Sequence, residues 1–82
     1  MGRKHIKKSD AVRVNAYLHL TNSLITIREG YWEVQNTDDT WYCETTEELM
    51  EEINYDLEEM KEFIDPETYE DAFNNDGRLA IR

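Results

Sequence analysis

The sequence predicts an α+β fold: a three- or four-stranded antiparallel meander with one long amphipathic helix packed on one face and a short second helix. Three observations carry this. Short runs of alternating or β-branched residues separated by turn residues extend from Val12 to Cys43. The apolar spacing then lengthens to the helical period across Leu49, Ile53, Leu57, Met60 and Ile64. Asp65-Pro66 interrupts that stripe before a last apolar group at Tyr69, Ala72 and Phe73. With 82 residues the chain is expected to form one α+β domain over 10–82, preceded by a basic N-terminal tail over 1–9.

In chain order, Val12, Val14, Ala16, Leu18 and Leu20 alternate with Arg13, Asn15, Tyr17 and His19, the pattern of a half-buried first strand. Thr21-Asn22-Ser23 supplies turn chemistry, because short polar side chains bond their own backbone. Leu24-Ile25-Thr26-Ile27 is the second expected strand, Glu29-Gly30 the next turn, and Tyr31-Trp32-Glu33-Val34-Gln35 the third strand. Asn36-Thr37-Asp38-Asp39 turns the chain again into Thr40-Trp41-Tyr42-Cys43, rich in the residues that fit a pleated surface. Alternation puts Trp32 and Val34 opposite Tyr31 and separates Trp41 from Tyr42, so one aromatic set belongs under a helix and the other on a face open to solvent.

Thr45 followed by Glu48 reads as a capping box, which starts the long helix near Thr46 and lets it run to Ile64. Asp65 and Pro66 then serve as N-cap and first residue of the short helix, and Gly77 as the left-handed residue after its end. Leu79-Ala80-Ile81 is left as a tail or edge strand.

Composition excludes several classes of function. A single cysteine, Cys43, gives no intrachain disulfide and no cysteine metal cluster, which suits a reducing cytoplasm. No apolar stretch follows the basic head as in a signal peptide, and none approaches membrane-spanning length. Three glycines make no phosphate loop, and His5 and His19 lack partners at ligand spacing. Asn74-Asn75-Asp76-Gly77 has calcium-loop flavour but the wrong frame, since a twelfth ligand would fall beyond Arg82. Cys43 reads as a small buried hydrophobe rather than a nucleophile. No catalytic residues, no cofactor and no metal are expected, and the chain is not read as an enzyme.

What remains is charge. Residues 38–76 hold sixteen of the nineteen carboxylates and one cation, Lys61, for −15; residues 1–37 carry six Lys/Arg against Asp10, Glu29 and Glu33, for +3; Arg78 and Arg82 add +2, giving −10. Such a field repels nucleic acid and membrane headgroups and steers the chain toward a basic protein. Around the long helix, Glu47, Glu48, Glu51, Glu52, Asp56, Glu58, Glu59, Glu62 and Asp65 place nine carboxylates over about 30 Å. That is roughly one per 3.3 Å, against about 3.4 Å per phosphate along one DNA strand. A merely solvated helix interleaves Lys or Arg one turn away to avoid like-charge repulsion; here only Lys61 does so. The expected partner-binding residues are Glu51, Glu52, Asp56, Glu58, Glu59 and Glu62, with Glu67, Glu70 and Asp71 extending the surface. The head Arg3-Lys4-His5-Ile6-Lys7-Lys8 is a nucleic-acid arm or localisation signal in one reading and, in the other, a frayed terminus that contacts its own acidic helix.

In size, net charge and carboxylate-dense helix, continued by Asp65-Pro66-Glu67 and Glu70-Asp71, the chain resembles the small acidic inhibitors that bacteriophages and mobile elements direct against host defence, the anti-CRISPR and antirestriction DNA mimics. The resemblance is one of composition over about half the chain; the basic head and tip depart from it and leave room for a mixed-charge contact surface. It implies a protein of the bacterial cytoplasm that occupies the cationic channel of a nuclease or effector complex. The expected partner is a basic nucleic-acid-binding protein, and the chain itself is expected to contact neither nucleic acid nor membrane. An antitoxin or regulatory subunit masking a basic partner would use the same face.

Overall fold

The computed structural model describes residues 5–79 and places three helices and three strands in the order α1 (Lys8–Thr21), β1 (Leu24–Arg28), β2 (Tyr31–Gln35), β3 (Thr40–Cys43), α2 (Thr46–Met60) and α3 (Pro66–Ala72). The sheet is an antiparallel meander, β1-β2-β3. Its β1–β2 turn is a two-residue hairpin in which Glu29 and Gly30 both take positive φ, 43° and 92°, as a primed turn requires. The β2–β3 turn is closed by Asn36 N–H donating to the Asp39 carbonyl at 2.7 Å. Register aligns Ile25, Val34 and Trp41 in one row and Ile27, Trp32 and Cys43 in the next, all on the inner face. Leu24, Thr26, Tyr31, Glu33 and Tyr42 lie on the outer one, where Tyr31 and Tyr42 meet edge to face at 5.4 Å and Arg28 pairs with Glu33 at 2.9 Å. The expected division of the aromatics between two faces is therefore found.

The region expected as a first strand, Val12–Leu20, is helical. Its buried residues are Ala11, Val14, Ala16 and Tyr17, at i, i+3, i+5 and i+6, with Leu18 and Leu20 partly buried, and Tyr17 faces in rather than out. Alternation misleads here because α1 is covered on several sides. Tyr17 packs edge to face on Trp41 of the sheet at 6.2 Å, Arg13 bonds Asn54 of α2, and Asn15 and Val12 bond the segment after α3. A helix enclosed in this way carries apolar residues around most of its circumference, so a period of two survives inside a period of 3.6. Asn22 ends α1 with φ 56°, and Ser23 N–H returns to the Leu18 carbonyl.

The core is built from Val14 and Tyr17 of α1, Ile25, Trp32, Val34 and Cys43 of the sheet, and Leu49, Met50, Ile53, Leu57 and Met60 of α2. Leu49, Ile53, Val14 and Val34 are wholly buried, each stabilising by about 1.5–3 kcal/mol. The apolar face of the sheet is thus covered by two helices, not by α2 alone. The Trp32 indole N–H finds the Thr46 hydroxyl at 3.2 Å, so its burial leaves no orphan donor.

The capping box forms as expected: Thr45 Oγ1 accepts from Glu48 N–H at 3.1 Å while the Glu48 carboxylate accepts from Thr45 N–H. The helix ends at Met60, four residues before the expected Ile64. Glu58, Glu59 and Glu62 crowd its C-terminus, where the helix dipole favours cations, and the backbone tightens there into Glu62-to-Glu59 and Phe63-to-Met60 bonds. Asp65 caps α3 by accepting from Thr68 N–H at 3.2 Å, with Pro66 at its first position. Gly77 does have positive φ, 75°, but it does not end α3, which stops at Ala72 with Phe73 as C-cap. Gly77 belongs instead to a strap over α1: Asn75 donates to the Val12 and Ala72 carbonyls and accepts from Gly77 N–H, and Asn15 reaches the Arg78 carbonyl at 2.8 Å. No strand forms at Leu79, which is partly buried on the core, while Ala80 and Ile81 lie outside the described residues.

Candidate functional site

The candidate surface follows from the orientation of α2. Burying Leu49, Met50, Ile53, Leu57 and Met60 turns the opposite face of the helix outward, and that face carries Glu51, Glu52, Glu58 and Glu59, all exposed. Glu62 is exposed in the turn after α2, and Glu67, Glu70 and Asp71 are exposed on α3. Asp56 differs. It is half-buried at the edge of the stripe, beside the Tyr17 hydroxyl, and burial followed by the Glu52 and Glu59 charges raises its pKa above the usual carboxylate value.

Among the described residues, one ion pair involves these nine carboxylates, Glu58 to Lys61 at 3.9 Å between two well-exposed side chains. A pair so long and so solvated contributes little, about 0–1 kcal/mol at most. Arg13, a described cation near α2, donates to the side-chain Oδ1 of Asn54 at 2.6 Å. Among the described residues the face is consequently a row of like charges with one weak ion pair, held on a packed helix.

The structure divides the row into neighbourhoods. Glu58, Glu59 and Glu62 line an open groove with Tyr55 and Phe63; Glu51 and Glu52 border Trp41, Tyr42 and Cys43 at the edge of β3; Glu58 and Glu70 line the α2–α3 groove together with Arg13, Lys61, Tyr69 and Phe73. Glu67 and Asp71 join none of the three. Two aromatic residues in the first group were not singled out by the sequence reading. Tyr55 is 64% exposed and Phe63 75%. A helical wheel would have found Tyr55, because Glu51, Glu52, Glu58 and Glu59 stand at i−4, i−3, i+3 and i+4 to it. The Glu59 carboxylate, the main cause, raises the Tyr55 hydroxyl pKa.

Other candidates offer less chemistry. Burial pushes the Cys43 thiol up, with the Glu48 and Glu52 charges adding to the shift, which makes it a poorer nucleophile. Among the described residues, no group of three or more His, Cys, Asp and Glu side chains is arranged to hold a metal. Asn75, in the calcium-like run, spends its side chain on the Val12 and Ala72 carbonyls, Gly77 N–H and the Asn15 amide. Within the described part of the basic head, the His5 carbonyl accepts from Thr46 Oγ1 at 3.2 Å and Ile6 packs on the core, so this end of the chain lies against the start of α2. Arg3 and Lys4 lie outside the described residues. No described helix is long and apolar enough to cross a membrane.

No protein-family model, curated protein or solved structure matches this chain.

Proposed function

We propose that this chain is a small acidic inhibitor that acts by occupation and not by catalysis. The outward carboxylates of α2, extended by those of Glu62 and α3, enter the cationic nucleic-acid-binding surface of a nuclease or effector complex and exclude DNA from it. One observation carries the reading. Glu51, Glu52, Glu58 and Glu59 are exposed on a single helix face, with one described cation, Lys61, paired to any of them, and that at 3.9 Å. Solubility does not call for a row that repels itself, whereas a groove of Lys and Arg shaped for phosphates rewards it with fast, salt-sensitive association. Because α2 is fixed by its buried stripe, the row is ordered before binding, and less entropy is lost than with a flexible acidic tail.

The test is capture of partners by tagged protein from a nuclease-treated bacterial lysate at low salt, comparing the wild type with the double variant Glu58→Lys/Glu59→Lys. Both positions are exposed, so the variant keeps its fold. The reading expects a nucleic-acid-binding protein on the wild type, released as salt rises, and none on the variant. The same partner retained equally by the variant removes this face from the interface.

A further inference from the structure

The outward face of α2 is not uniformly polar. Tyr55 stands in the middle of it, ringed by Glu51, Glu52, Glu58 and Glu59 one turn away on either side, and Phe63 projects from the turn that follows the helix. The two rings are 64% and 75% exposed and line, with Glu58, Glu59 and Glu62, an open groove of about 430 Å³. Neither ring serves the core, which α2 reaches through its other side. A carboxylate row that had only to imitate phosphates would gain nothing from exposed rings at its centre.

We infer that this groove is an arginine-binding site: a guanidinium from the partner's cationic surface stacks on Tyr55 and Phe63 while its N–H fork is held by the carboxylates of Glu58, Glu59 and Glu62. Charge complementarity selects a cation, and the rings select which one. A guanidinium is planar, weakly hydrated, stacks on aromatic faces and offers parallel N–H donors to a carboxylate. An ammonium is a compact, strongly hydrated point charge that forfeits its water to sit between two rings. Binding energy in protein contacts concentrates in such desolvated aromatic and arginine anchors, while the surrounding charge supplies steering. The inference rests on the reading that the carboxylate face receives a cationic protein surface, and it deepens that reading by naming the side chain at the centre of the contact.

The experiment uses the full chain and two probes, oligo-arginine and oligo-lysine peptides of equal length, titrated at low salt into the wild type, Tyr55→Ala/Phe63→Ala and Glu58→Lys/Glu59→Lys. The arginine peptide is expected to bind the wild type about tenfold more tightly than the lysine peptide. The aromatic double variant should abolish that preference and leave the lysine affinity unchanged, and the charge-reversed variant should lose both peptides. Equal affinities on the wild type, or a preference that survives removal of both rings, overturns the arginine site while leaving the carboxylate-face reading intact. Failure of both peptides to bind the wild type sinks the two together.

Discussion

The side-chain amide of Asn15 donates to Oδ1 of Asn75 at 3.1 Å, joining residues sixty positions apart. Asn75 in turn donates to the Val12 carbonyl at 3.2 Å and to the Ala72 carbonyl at 2.9 Å, and accepts from Gly77 N–H at 2.9 Å. One amide therefore closes the end of α3, turns the chain and fastens it to α1. In so short a chain this clip helps to hold α3, and the carboxylates on it, against the body that carries α2.

Asn75→Ala leaves the Val12 carbonyl and Gly77 N–H without that partner. The Val12 carbonyl keeps its helical bond within α1, but the part-buried Gly77 N–H is left unsatisfied, at a cost of about 1–3 kcal/mol, so the melting temperature should fall by at least about 4 °C. Thermal unfolding followed by circular dichroism measures it, and an unchanged melting temperature would show that the strap is not held by this residue.

Gly77 and Gly30 both have positive φ, 75° and 92°, but only one is crowded. A Cβ on Gly77 would stand 2.9 Å from Lys8 Cγ, 3.2 Å from the Lys8 carbonyl oxygen and 3.3 Å from Val12 Cγ2, whereas a Cβ on Gly30 meets nothing within 4 Å. Alanine at Gly30 should cost only the backbone penalty, about 1–2 kcal/mol. Alanine at Gly77 should cost more in the same denaturation assay, and equal losses would contradict the close approach of the strap to α1.

Thr45→Ala removes the hydroxyl that accepts from Glu48 N–H at 3.1 Å and opens the capping box. The expected loss is about 1 kcal/mol, read from the denaturant midpoint. Thr45→Ser should recover most of it, because the serine hydroxyl accepts the same bond.

Asp56 predicts a pH dependence with a definite sign. Burial, Glu52 and Glu59 raise its folded pKa above the ordinary carboxylate value, so ionisation is harder in the folded state than in the unfolded chain. The resulting destabilisation is absent below the unfolded pKa, grows as pH rises between the unfolded and folded values and is complete above the folded one. Asp56→Asn, which keeps an acceptor oxygen for the Tyr17 hydroxyl, should therefore be more stable than the wild type at neutral pH. That advantage should vanish on acidification below the carboxylate range. Parallel melting curves across pH check it; a constant difference would mean that Asp56 is not perturbed by its neighbours.

Much of the fold could be read from the residues because local chemistry and tertiary packing agree there. Thr45 with Glu48, Asp65 with Pro66, and the alternation of Tyr31 to Gln35 each act over a few residues, and all three appear as expected. Val12–Leu20 was misread because what decides it is not local: Tyr17 is turned inward by Trp41 from another element, and Asn15 by a strap that begins sixty residues later. The outward carboxylates of α2 were legible from the same periodicity as its core. Tyr55 was within reach of the same helical wheel, whereas Phe63 was not, because α2 ends at Met60 and an aromatic residue beyond a helix end suggests burial as readily as exposure.

Under the proposed function, the carboxylate face and DNA compete for one surface of the partner. The most direct measurement adds duplex DNA, at fixed salt, to the tagged protein with its captured partner bound. The account predicts that DNA releases the partner in proportion to its concentration and that the released partner carries the DNA. A ternary complex, in which the partner binds DNA while still held by this protein, would contradict it.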